Sequence, residues 1–309
     1  MKGLKKIALA TAVAAAPFAA HAELQAMDDM AMGAVTGQSG VTIELETKVS
    51  VGQFKYTDEG SFAVNDIVLG GAGVTTVGAG AGYNDLLDEL KIDIDVADDG
   101  DAVIHVGTLD GNPIDWGMTV GSMELLPGST GSDSTTLISN LSGFGNLAAL
   151  DIRVDTATDH LNLVAAFDVQ NMDFDVDFLG VGIRGLKVTG AGADAEAVAM
   201  YTEHNVDFDN MPPEQQQIFA GFANANLDIY KGDGLGGATP ETDVLRIDVN
   251  NIFMDVNIAD VQIGGDIAGG AGKSIGSVAL DNVAVTDTKL AIYGHDISPD
   301  PTPAPTPTP

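Results

Sequence analysis

From Val41 to Val51 the chain places Val41, Ile43, Leu45, Thr47, Val49 and Val51 at every second position, with Thr42, Glu44, Glu46, Lys48 and Ser50 between them. A period of two fits a pleated strand with one face buried and one face wet, and it does not fit a helix, whose faces repeat every 3.6 residues. The alternation returns at Ile92, Ile94 and Val96, at Leu161, Leu163, Ala165, Phe167 and Val169, and at Leu245, Ile247 and Val249. Asp often occupies the wet positions, as in antiparallel sheets with one solvated face. With 45% hydrophobic and 19% charged residues the chain is too apolar to stay disordered, and its 38 glycines supply turns and bulges.

Four segments break the alternation in the same way. Phe62–Leu69, Phe167–Phe174, Ile247–Met254 and Val278–Val285 contain the polar pairs Asn65-Asp66, Gln170-Asn171, Asn250-Asn251 and Asp281-Asn282, after which the apolar series resumes one position out of step. A strand that keeps its apolar side inward past such a pair must bulge or bend there. The copies are unevenly spaced, which excludes a regular solenoid. The predicted fold is therefore mainly β, built of bent antiparallel sheets in a prism-like or sandwich-like stack, with one or two short helices. A helical turn or two is expected over Asn84 to Leu90. A longer helix is expected over Asn210 to Ala223, where an Asn cap is followed by prolines in the first turn.

Met1 to Ala22 reads as an export signal: Lys2, Lys5 and Lys6 precede an apolar run from Ile7 to Ala16, and Ala20-His21-Ala22 offers a small-residue cleavage site. The run is too short to span a bilayer, and no later stretch is long enough, so no transmembrane helix is expected once the signal is removed. The predicted organisation is a signal peptide (1–22), a short helix and Thr-Gly-Gln segment (23–40), a β domain (41–297) and a Pro/Thr-rich tail (298–309). Division of the β domain into two subdomains near 110–145 is the alternative. The tail holds six of the twelve prolines and reads as an extended spacer. The sequence has no cysteine, so the fold rests on packing, bound cations or assembly rather than disulfides.

Thirteen Lys and Arg stand against 45 Asp and Glu, a formal charge of −32. Nucleic-acid and anionic-membrane binding are excluded, because phosphate surfaces are held by basic clusters.

Leu24 to Leu45, LQAMDDMAMGAVTGQSGVTIEL, resembles the N-terminal signature of an uncharacterised family of exported Gram-negative proteins, some of them labelled pilus-system or FilA-like. Ser274 to His295, SIGSVALDNVAVTDTKLAIYGH, resembles that family's ending. The resemblance implies a surface or fibre-associated role and brings no catalytic residues with it.

Chemistry-bearing patterns are few. Gly272-Lys273-Ser274-Ile275-Gly276 fits G-x-S-x-G, and Asp281, Asp287 and His295 follow in hydrolase order, but Ile275 to Val285 alternates like a strand where that motif needs a helix. His105, His160, His204 and His295 are scattered without zinc-ligand spacing. Asp173, Asp175 and Asp177 step along one strand face and read as a wet surface. Carboxylates crowd one turn, Asp98-Asp99-Gly100-Asp101, expected to close a hairpin before Ala102 to Thr108. Asp95, Asp98, Asp99 and Asp101 are the candidate metal ligands, for Ca²⁺, which takes six to eight hard oxygens. The plainer reading is a solvated acidic turn.

The expected function is that of a non-enzymatic exported protein, associated with a surface or pilus-like fibre of a Gram-negative cell. Its partners would be other subunits of a surface assembly, itself among them. The alternative is a periplasmic or extracellular binding module for a cation, glycan or apolar ligand, with a pocket lined by aromatics such as Trp116, Tyr201 and Phe208. An outer-membrane barrel is a further rival, since alternating segments also describe one.

Overall fold

The computed structural model describes residues 40–294, apart from 79–81, 129–132, 237–239, 265–266, 268–269 and 271. The export signal, the 23–39 segment, His295 and the Pro/Thr tail lie outside the described residues. Thirteen strands form one antiparallel sheet: β1 (Val41–Thr47), β2 (Val49–Thr57), β3 (Ser61–Gly70), β4 (Leu87–Val96), β5 (Ala102–Thr108), β6 (Ile114–Leu126), β7 (Thr135–Asp155), β8 (His160–Phe167), β9 (Val169–Val176), β10 (Val181–Thr189), β11 (Ala223–Gly232), β12 (Val244–Ile263) and β13 (Lys273–Ile292). Two helices, α1 (Ala195–Glu203) and α2 (Pro213–Gly221), interrupt it. The mainly β, bent antiparallel prediction is met, with all strands joined in a single hydrogen-bonded sheet.

The pairings resolve thirteen strands into eight long rows. β1 continues into β2, β3 into β4, β5 into β6, β8 into β9 and β10 into β11, while β7, β12 and β13 each run the full row alone; each row is antiparallel to the next. A row of 20 residues spans about 66 Å at the usual rise per residue. Cross-strand partners share a face, so chemistry can be followed across the sheet. Val49, Leu69, Met118, Gly143, Met172, Leu186, Ile258 and Val278 form one transverse line through all eight rows. Ile43, Ile92, Val106, Leu150, Ala165, Ala225, Ile252 and Val285 form a second. Gln53, Asn65, Ser122, Ser139, Asp175, Gly182, Gln262 and Ser274 form a third, and only one of its eight members lacks a polar side chain.

A fault crosses the rows near their middle. It passes through Lys48, residues 71–78 and 82–86, the 109–113 turn, the register slip between Leu147 and Ala149, Asp168, the 190–222 insertion, Met254–Asp255 and the bulge at Asp281-Asn282. The predicted irregularities at the polar pairs are all present. Asp66 and Asn282 have positive φ values of 54° and 56°, and the ladder slips beside Gln170-Asn171 and beside Asn250-Asn251. Asp and Asn tolerate this left-handed backbone better than β-branched residues do, which is why the polar pairs mark it.

The helix expected over Asn84 to Leu90 is not formed. Leu87 opens β4, because its row-mate β3 stops at Gly70 and the pairing edge of β1 is left for Leu87–Ile94. The later helix is shorter than expected, Pro213–Gly221 capped at Pro212, with a 3₁₀ turn at Phe208–Asn210 before it. α1 has no counterpart in the sequence reading. Asp194 caps it, its side chain accepting from the Ala197 N–H at 2.9 Å. Residues 110–145 hold β6 and the first half of β7, which lie side by side in the sheet.

The clearest apolar core lies where the 190–222 insertion covers the fault. Tyr201, Phe208 and Phe253 are buried with Ala191 and Ala197, and Phe219 and Ala284 pack against them. Tyr201 meets Phe253 and Phe219 edge-on at 5.3 and 5.0 Å between ring centroids, the arrangement favoured by aromatic quadrupoles.

Candidate functional site

The acidic turn forms as expected: Ala97 donates its N–H to the Asp101 carbonyl at 2.8 Å, and Gly100 turns the chain at φ 93°. Its carboxylates, however, converge on an arginine. Asp101 is buried, its Oδ2 accepts from Arg153 Nε at 2.6 Å, and its Oδ1 accepts from the Thr156 N–H and hydroxyl at 2.8 and 2.9 Å. Asp99 accepts from Arg153 Nη2 at 2.8 Å, and Asp95, Asp98 and Asp99 are all exposed. The Thr156 backbone N–H, then Arg153, hold the Asp101 carboxyl below the usual carboxylate range, against the opposing effect of burial. Among the described residues no group of three or more His, Asp and Glu side chains is placed to hold a metal ion. The sequence could not show the pairing of Asp101 with Arg153, which lies 52 residues away on β7.

The Asp173, Asp175, Asp177 series departs from the expected wet face. Asp175 is 1% exposed. Its Oδ1 accepts from Arg184 NH2 at 2.5 Å and its Oδ2 from Asn140 Nδ2 at 2.9 Å. Arg184 also donates to the Phe174 and Ile183 carbonyls, both at 2.9 Å, and Asp173 accepts from the Gly185 N–H at 2.7 Å. Asn140 and Gly185 both have positive φ, 52° and 65°, so the cluster sits where β7 and β10 bend. Thr76 donates its N–H to Ser142 Oγ at 2.9 Å, and Asn171 Nδ2 donates to the Val77 carbonyl at 3.1 Å, fixing the 71–78 segment over the same strands.

Between that segment and the sheet lies a cavity of about 270 Å³ lined by Asn140, Ser142, Asp173, Asp175 and Arg184. A second, of about 500 Å³, is lined by Phe144, Gln170, Asn171 and Lys187, and the Asn171 Oδ1 is buried without a partner. Both carboxylate oxygens of Asp175 are engaged, and Ser142 Oγ accepts from a backbone N–H, so the first cavity presents a satisfied ion pair rather than a nucleophile beside a base. Tyr201 and Phe208 fill the core under the insertion instead of lining a pocket. Ser274 and Asp281 lie seven residues apart along β13, about 23 Å on a strand. The third residue of that pattern, His295, is outside the described residues.

The remaining feature is at the margins of the sheet. Among the described residues β1 and β2 pair only with β4 and β3, and β13 only with β12, so both outer rows keep one side without a strand partner. β2 is exposed along its whole length, as is β13 from Lys273 to Asp281. These rows carry Phe54 at 54%, Tyr56 at 62%, Ile275 at 65% and Leu280 at 50% exposure. Sequence alternation revealed the strands but not their place at the margin, which depends on pairings between distant segments.

Residues 1–98 match a family described as a family of unknown function, DUF6160. The match includes the N-terminal stretch that carries the resemblance above, and ends within the turn after β4. No curated protein and no solved structure matches the chain. Among the described residues no helix is long and apolar enough to cross a membrane.

Proposed function

We propose that this chain is a non-enzymatic, exported structural protein of a Gram-negative surface or fibre, joining other protein subunits through the margins of its sheet. The observation that carries the reading is the pair of long outer rows that, among the described residues, have no strand partner on one side and carry exposed apolar side chains. Such edges template pairing with another chain, and proteins that stay monomeric blunt or cover them. The export-type start of the sequence supports an extracytoplasmic setting, and the 270 Å³ cavity gives the binding-module alternative less: its Asn140, Asp175 and Arg184 side chains are already bonded to one another.

Cell fractionation with immunogold microscopy of the native surface tests this reading. Label on the outer surface in extended or clustered arrays is expected. Protein confined to the soluble fraction, with an unlabelled surface, would overturn it.

A further inference from the structure

We infer that the partner is a second copy of this chain, with β13 of one copy lying antiparallel along β1 and β2 of the next, in the register that carries the transverse lines across the junction. The inference rests on the assembly reading above and supplies the identity and geometry of the joint. Eight is an even number of rows, so β1–β2 and β13 run in opposite directions. A translated copy therefore presents an antiparallel partner, and the joint leaves a fresh edge at each end, an open head-to-tail contact.

Register agrees along most of the edge. The transverse lines end at Ile43 and Val285, at Thr42 and Thr286, at Val49 and Val278, and at Gln53 and Ser274. One ladder accommodates all four, with a single extra residue on the β13 side between Ile43 and Val49. That residue is the Asp281-Asn282 bulge, which falls opposite Glu46, two residues before Lys48. Within these pairs apolar meets apolar and polar meets polar, as cross-strand pairing rewards.

Each edge is also net neutral. The chain carries −32, yet Glu44 and Glu46 are matched by Lys48 and Lys55 on one edge, and Asp281 and Asp287 by Lys273 and Lys289 on the other. These two rows therefore add little to the self-repulsion between copies.

Closure of the same two edges within one chain would make an eight-row barrel. A barrel needs a staggered register, so its closing pairs would not be the straight-across ones. The absence of native cysteine makes the distinction measurable. Full-length chains bearing Val49→Cys and Val278→Cys together are oxidised and run without reductant; Gln53→Cys with Ser274→Cys reads the same joint four residues along. A ladder of cross-linked multimers is expected from both pairs, and mixed dimers when singly substituted chains are combined. Cross-linking confined to single chains would overturn the inference, because a joint between copies cannot produce it. Multimers in sedimentation with no cross-link from either pair would overturn this joint while leaving the assembly reading standing. Monomers without cross-links would overturn both.

Discussion

Arg184 and Asp175 meet at 2.5 Å across the β9–β10 hairpin, with the aspartate side chain only 2% exposed. Removing one member of a buried pair leaves the other charge unanswered, which costs more than the pair itself contributes. Asp175→Asn should lower unfolding free energy by about 3 kcal/mol in urea titrations. A loss below about 0.5 kcal/mol, typical of surface sites, would show that the cluster does not hold the bend.

The Asp101 carboxyl is held below its ordinary value, so the folded state favours its charged form. Its contribution is complete above about pH 4, the unfolded value, and is lost as pH falls through the depressed folded value. Wild type should exceed Asp101→Asn in urea midpoint at pH 7, and the two should converge well below pH 4. Parallel curves down to acid would place the stabilisation elsewhere.

Arg153, Thr156 and the turn's own backbone already engage the carboxylates of Asp101 and Asp99, two of the four candidate ligands. Melting temperatures in Ca²⁺ and in NaCl of equal ionic strength should coincide, both raised by screening of the −32 charge. A further rise in Ca²⁺ that disappears with Asp99→Asn would restore the turn as a calcium site.

Burial pushes the Tyr201 phenol up to about 12, and its hydroxyl donates to the Gly192 carbonyl at 2.9 Å. Stability should be intact below about pH 10, where an unfolded tyrosine titrates, and should decline as pH rises from there towards the folded value. Ultraviolet titration should find Tyr201 still protonated near pH 11, a signal that Tyr201→Phe removes. The same core predicts that Phe253→Ala, at a fully buried position, costs about 3–5 kcal/mol.

The strand content was legible because alternation is local, and so were the bends, because Asp and Asn advertise left-handed backbone at Asp66 and Asn282. The joining of β3 to β4 and of β10 to β11 into single rows was not legible. Each pair is separated by an insertion, and only the shared neighbours β1–β2 and β12 reveal the continuity. The roles of Arg153 and Arg184 were not legible either; they come from register, which brings β7 beside β5 and β9 beside β10.

Sedimentation velocity over a concentration series, on wild type and on Val278→Glu, bears most directly on the claim that the outer rows are joining surfaces. Wild type should form an open series of species that grows with concentration. The variant, with an added charge in the middle of the joint on an already acidic chain, should remain monomeric at the same concentrations. A single monomeric species for wild type throughout, or multimers that Val278→Glu leaves intact, would contradict the account.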